Sequence, residues 1–263
     1  MNFKKENTMK RTLIASTLIA ATSLPTFAEE SKVIDPSDLT QVYTQAAVFV
    51  TSDADVRVSG MLTGAWNENT QFAGFLEGNF GDSDAKQGKD SMGADYLGSR
   101  GQYFQVHAID NDLMPRVGFM TDIIHQKNAG LDDNLLFSAG AIGLINPKYT
   151  GGAMVFPNVN YTVGEVFGES ADGYMLNLFT TVPVGDSGAF FQAWPEYVKV
   201  TGDVVEMEST AFNMMFNAPI KSDRTQWLMT KLAYASADVV LPNGWEVENE
   251  YELKAEIGVK WFF

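Results

Sequence analysis

The chain has no cysteine among its 263 residues. Disulfides and thiolate metal centres are therefore excluded as ways of holding the fold together. Basic residues are also scarce, with 18 Lys and Arg against 33 Asp and Glu. A chain of that balance repels nucleic acid and other anionic polymers, so nucleic acid is not an expected partner. Beyond the first 28 residues no apolar run reaches the roughly 20 residues that a membrane helix needs. If the mature protein meets a membrane, it meets it with strands.

The first 28 residues have a separate logic. Lys10 and Arg11 form a positive segment, Leu13 to Leu24 a short apolar one, and Pro25-Thr26-Phe27-Ala28 ends in a small residue before Glu29-Glu30. That order predicts a secretory signal peptide over 1–28, cleaved after Ala28, with Met9 able to open it on its own. A single domain is expected over 29–263. Removing Lys4, Lys5, Lys10, Arg11 and Glu6 with the leader leaves 14 basic residues against 32 acidic from the totals of 18 and 33.

The clearest pattern lies at the other end, over Trp245 to Phe263. Odd positions read Val247, Asn249, Tyr251, Leu253, Ala255, Ile257, Val259, Trp261 and Phe263. Even positions read Glu246, Glu248, Glu250, Glu252, Lys254, Glu256, Gly258, Lys260 and Phe262. A period of two puts these sets on opposite faces of a strand. From Tyr251 onward the apolar face is unbroken and long enough for a membrane strand of roughly 9–11 residues. Aromatics bracket it as a girdle would, with Tyr251 above and Trp261 and Phe263 below.

The same alternation recurs over 41–50, 55–66, 71–80, 101–110, 115–124, 134–145, 153–164, 173–182, 188–199, 205–217 and 225–236. With 245–263 these make an even number of candidate strands, as a closed single-chain barrel favours. The fold expected is all-β, a transmembrane antiparallel up-and-down barrel of about 12 strands. Strands that face lipid cannot leave edge groups unpaired, which is why closure is required. Pro195, which cannot donate to a ladder, predicts a bulge or strand end within 188–199.

A signal peptide, repeated amphipathic strands and a last strand ending in Phe263 together resemble Gram-negative outer-membrane β-barrels, porin-like as a class. The resemblance implies an outer-membrane location, contact with lipid and lipopolysaccharide, and delivery by periplasmic chaperones to the barrel assembly machinery. On that view Tyr251, Trp261 and Phe263 serve as girdle and assembly signal. No motif singles out a particular solute channel.

The charged face of the last strand suggests an interior. Glu250, Glu252, Glu256, Lys254 and Lys260 are candidate lumen-lining residues, as are Arg57, Glu77, His107, Arg116, Asp122 and Lys231 on other strands. Arg100 and Lys199 lie near strand ends. Aligned carboxylates repel one another unless cations stand opposite, so an acidic lumen would favour cations. Ion pairs filling the interior are the alternative.

The run Gly81-Asp82-Ser83-Asp84-Ala85, with Lys86, Lys89 and Asp90, offers oxygen ligands but not the spacing of a defined calcium loop. No metal or cofactor is expected. There are only two histidines, His107, placed inward beside Tyr103 and Gln105, and His125, at the outer end of its strand. Neither belongs to a G-x-S-x-G elbow or an H-E-x-x-H helix. A barrel hydrolase would need one of them beside a nucleophile or carboxylate in space. The expected function is passive passage of small solutes through a cation-favouring channel. A filled structural or surface-interaction barrel and an outer-membrane hydrolase are the other readings.

Overall fold

A computed structural model describes residues 43–83, 94–128 and 130–263. The leader expected over 1–28 and most of the acidic run after Gly81 lie outside the described residues.

Eleven long strands follow one another: β1 (Tyr43–Thr51), β2 (Val56–Asn67), β3 (Thr70–Gly81), β4 (Asp95–Ala108), β5 (Arg116–Gln126), β6 (Asn134–Leu144), β7 (Met154–Val166), β8 (Glu169–Pro183), β9 (Phe190–Gly202), β10 (Glu206–Pro219) and β11 (Gln226–Val240). A two-residue rung, β12 (Glu246–Val247), extends the last hairpin, and β13 (Glu252–Phe262) completes the wall. Each long strand pairs antiparallel with its sequence neighbours. β1 then pairs with β13, from Gln45 opposite Phe262 to Thr51 opposite Glu256. The sheet is thus a closed barrel with 12 strands in its wall, and its lateral edges are paired.

Alternation decides what each side meets. On β13, Leu253 and Ile257 point outward and are more than half exposed, while Gly258, Lys260 and Phe262 point inward and are buried. The outer surface continues with Leu62, Leu76, Phe119, Ile123, Phe137, Val159, Leu176, Phe212 and Leu232, all large, apolar and exposed. A belt of that extent is incompatible with water and fits lipid, where each such side chain contributes on the order of 1.5–3 kcal/mol on leaving water. Tyr161, Tyr174, Tyr234 and Tyr251 ring the end that carries the longest connection, 82–94, which is the extracellular end by that asymmetry. Tyr251 stacks on Tyr234 at 4.7 Å. At the periplasmic end Trp66 stacks on Phe72 at 4.6 Å, and Trp261 and Phe263 also face outward there.

Three details depart from the sequence expectation. First, β4 begins at Asp95 and not near 101, so Arg100 stands well inside a strand. Second, Pro195 makes neither bulge nor strand end: it stays in register opposite Phe212. The missing N–H shows only as a gap in the ladder to β8, where pairing stops at Asn177–Glu196 and resumes in the same register at Thr180–Ala193.

Third, the last strand is not one uninterrupted two-sided ribbon. Val239 faces Val247 but Ala235 faces Glu252, a slip of one residue between the two ladders. Asn249 takes up the slack, its backbone N–H donating to Asp238 and its side-chain amide to the Ala237 carbonyl. One extra residue reverses the pleat, so Glu246 and Glu252 lie on opposite faces.

Candidate functional site: the charged belt inside the barrel

The registers of β2, β3 and β13 bring Arg57, Glu77 and Glu256 to one part of the inner wall. Arg57 donates to Glu77 at 2.8 Å and to Glu256 at 2.8 Å through Nε and 2.5 Å through Nη2. Lys231 on β11 reaches the other oxygen of Glu256 at 3.2 Å. The Arg57 guanidinium also lies 3.8 Å over the Phe49 ring. Gly258, opposite Phe49, makes room for that ring, since a Cβ there would meet it at 2.4 Å. One carboxylate thus holds two cations, and an aromatic face beneath one of them fixes its plane.

A second group forms around Arg100. It donates to Asp122 on the adjacent β5, at 2.5–3.1 Å, and to Glu196 on β9, at 2.5 Å and 3.2 Å. β4 and β9 stand five strands apart in the wall, so the Arg100–Glu196 contact runs across the interior. Gln102 donates to Asp122 at 2.8 Å and completes its environment. A second crossing lies nearer the periplasm, where Phe104 on β4 meets Phe179 on β8 edge to face at 5.5 Å.

The remaining inner wall is a mixture. Leu136, Val166, Met175, Val198, Val200 and Val205 pack together. Ser138, Asn158, Asn160, Thr162, Asn177, Asn213 and Asn217 are buried polar residues on inner-facing positions. Asn160 donates to Asn158 at 2.9 Å, yet the Asn158 amide nitrogen and both polar atoms of the Asn177 amide have no protein partner. At the periplasmic mouth the Lys260 ammonium lies 5.1–5.3 Å from the rings of Phe190, Trp227 and Phe262. Its hydrogen bond is to Asn217, at 3.4 Å.

The structure sorts the sequence candidates. Arg57, Glu77, Asp122, Lys231, Glu256 and Lys260 face the interior: Arg57, Glu77, Lys231 and Glu256 form one group, Asp122 joins Arg100, and Lys260 stands apart at the periplasmic mouth. Arg116 also faces inward, near the periplasmic end, with Nη1 unpaired. Lys254 and Glu252 reach only the extracellular mouth, where Lys254 pairs with Asp53 at 3.2 Å.

Two placements need correction. His107 faces outward and is exposed, bonded to Thr70 at 3.0 Å and Gln105 at 3.1 Å. On β4 it is Phe104 and Val106 that turn inward, packing with Met120, Ile142 and Phe156, so Tyr103, Gln105 and His107 take the outer face. Glu250 is exposed in the irregular stretch above β13 and lines nothing, because the slip at Asn249 breaks the strand there. Glu196 has no sign in the sequence, because it directly follows the proline that predicts an interruption, and Arg100, expected near a strand end, stands well inside β4.

On the outer face near the extracellular rim, His125 shares a hydrogen bond at Nδ1 with the Tyr96 hydroxyl at 2.8 Å, and its Nε2 stands 3.2 Å from Asp133. Asp133, in the loop after β5, is held below the usual carboxylate range, first by the hydrogen bond from Lys127 and further by His125.

A closed barrel with a lipid-facing outer belt and a charged interior defines the class. The chain has the fold of an outer-membrane β-barrel, porin-like in architecture. No sequence-family description and no curated protein matches it. Solved structures do. An outer-membrane channel from Pseudomonas putida F1 aligns with TM-score 0.51 at 11% identity, over 88% of this chain and 100% of that one. The KdgM porin aligns with TM-score 0.48 at 9% identity, over 84% and 99%. The translocator domain of autotransporter NalP from Neisseria meningitidis aligns with TM-score 0.42 at 13% identity, over 98% of each. Of these, the alignment to the Pseudomonas putida channel speaks to the fold, and at 11% identity to the fold alone.

Proposed function

We propose that the barrel is a narrow, water-filled channel for small solutes, constricted where Arg100 reaches Glu196. The observation that carries this reading is the charged belt itself. Seven ionisable side chains (Arg57, Glu77, Arg100, Asp122, Glu196, Lys231 and Glu256) lie on the inner wall within the strands. Apolar packing would stabilise a closed interior at least as well as buried ion pairs do. Ionisable groups inside a membrane protein mark solute or ion paths. The unpartnered amide nitrogen of Asn158 and the unpartnered amide of Asn177 support the same reading, since a polar group without a protein partner is stabilised by water.

Cation preference in this reading arises at the extracellular mouth. Within the belt, Glu77, Asp122, Glu196 and Glu256 are largely offset by Arg57, Arg100 and Lys231. Above it, Asp53 and Glu252 share the extracellular mouth with Lys254, and Glu206 and Glu208 pair with Lys199 on the outer side of the same rim, next to Asp238 and Glu246. That excess of carboxylates concentrates cations at the entrance and weakens with salt. The leader ending at Ala28, and recognition of the Phe263 strand by periplasmic chaperones and the assembly machinery, belong to the same proposal.

A second reading, a filled structural barrel, is favoured by the Phe104–Phe179 contact and the apolar cluster around Met175. Planar bilayers containing refolded protein separate the two. A channel gives discrete conductance steps and a cation-selective reversal potential under a salt gradient; a filled barrel gives neither.

A further inference from the structure

We infer that Ser99, His125 and Asp133, ordered by Tyr96, form an ester-hydrolysing site on the outer face of the barrel, accepting an acyl ester of an outer-leaflet lipid. This site is separate from the lumen and does not depend on the channel reading.

The register puts Ser99 directly opposite His125 across β4 and β5, and side chains so placed have Cβ atoms about 4.5–5.5 Å apart. The Tyr96 hydroxyl bridges them, 2.7 Å from Ser99 Oγ and 2.8 Å from His125 Nδ1. On the other side of the imidazole, Nε2 stands 3.2 Å from Asp133. With the proton on Nε2 donated to Asp133, Nδ1 is free to accept, and the donors run in one direction, from Ser99 to Tyr96 to His125. The Tyr96 ring stacks on His125 at 5.5 Å and 17°, which fixes the imidazole plane. A nucleophile, a base and a carboxylate that orients the base are the elements of an acyl-transfer site.

Location supplies the substrate class. Ser99 is partly exposed on the outer face. Its partner across β3 is Gly78, and Gly101 is the next outward position on its own strand. At Gly78 the Phe80 ring closes the space, whereas a Cβ at Gly101 would meet only Leu76 at 3.7 Å, so the shallow groove beside the hydroxyl opens over Gly101. The groove runs toward the bilayer between Leu76 and Ile123, both exposed. Leu135, opposite His125, and Phe137, opposite Ile123, extend the apolar wall. Polar reactive groups at the rim with an apolar track beneath them match an ester whose alkyl chain lies in the membrane and whose carbonyl lies at its surface.

In the reaction, Ser99 Oγ bonds to the ester carbonyl carbon. Its proton passes to Tyr96 as Tyr96 passes its own to His125 Nδ1. The imidazolium returns a proton to the alkoxide as the C–O bond breaks, and water repeats the sequence on the acyl-serine, releasing a carboxylic acid. Ser99 is the nucleophile, Tyr96 relays its proton to His125 as the base, and Asp133 is a positioning residue.

The test uses the full refolded protein in mixed micelles of dioctanoyl-phosphatidylcholine, with p-nitrophenyl acetate as a soluble ester and a fluorophosphonate probe for the nucleophile. Hydrolysis and probe labelling are expected, and Ser99→Ala should abolish labelling and lower the rate on the order of 100-fold or more. Asp133→Asn should move the acid limb of the pH–rate profile to lower pH, which a purely structural role would not do. Gly101→Val, which fills the groove without touching Ser99, should slow the phospholipid and spare p-nitrophenyl acetate. Heat-modifiable mobility in SDS verifies that each variant is a closed barrel. Absence of hydrolysis and labelling in the folded wild type, or activity undiminished in folded Ser99→Ala, overturns the inference.

Discussion

Arg100 on β4 and Glu196 on β9 meet at 2.5 Å from opposite sides of the barrel wall. The pair ties together strands that share no ladder, and Asp122 holds the other edge of the same guanidinium. Cross-section and charge are therefore set at one place.

Glu256 is the joint of the other charged group. Glu256→Gln leaves Arg57 and Lys231 without their shared carboxylate on a buried wall, and a loss on the order of 3 kcal/mol is expected for breaking a buried pair. Urea unfolding in detergent or lipid, followed by tryptophan fluorescence, reads it. An unchanged midpoint would show that the belt is solvated well enough for the pair not to matter.

The direction of β13 can be tested by charge. Ile257 faces lipid, so Ile257→Arg should cost about 2–4 kcal/mol if it lies near the bilayer midplane. It should also slow assembly into vesicles. Ala233→Arg, on the inner face of the neighbouring strand, should assemble at the wild-type rate.

Lys260 lies among three aromatic rings at the periplasmic mouth. Replacing a buried charge by an apolar residue of similar volume is often neutral or stabilising. Lys260→Met is therefore expected to hold or raise the unfolding midpoint, whereas Phe190→Ala should lower it by removing one wall of the cage. A large loss in Lys260→Met would mean that the ammonium has a partner beyond Asn217 and the rings.

Asp112 ties two periplasmic turns together by accepting hydrogen bonds from Lys148 and, at 2.5 Å, from the Tyr149 hydroxyl. The Lys148 bond holds its carboxyl below the usual range, with Tyr149 adding to it. A depressed folded value means that the tie is fully present above the ordinary carboxylate range and is lost as pH falls through the folded value. Hydrogen exchange in 109–115 should accordingly be flat from neutral pH down to about 5, after correction for the intrinsic rate, and quicken only in stronger acid. Asp112→Asn should show the fast exchange at every pH.

Much of the wall was legible in the sequence because lipid imposes a simple rule. Outward positions must be apolar, so the period of two stands out wherever the inward side is polar, as over Leu253 to Phe263. Where the interior is itself apolar the rule loses its sign. On β4 the inward Phe104 and Val106 read from sequence as lipid-facing, which puts His107 on the wrong side. The slip at Asn249 was invisible for a related reason: a one-residue bulge leaves the glutamates of the sequence in step while their faces have exchanged. Pairing across the lumen is farther still from sequence, since nothing local to Arg100 indicates a carboxylate 96 positions away.

The most direct measurement is single-channel conductance of Arg100→Ala beside the wild type in planar bilayers, with folding verified by heat-modifiable mobility. Removing the side chain that crosses the lumen should raise the conductance several-fold and strengthen cation preference, because Asp122 and Glu196 lose their shared cation. Equal conductance in the two proteins, or no channel events from either, would contradict a lumen constricted by Arg100 and Glu196.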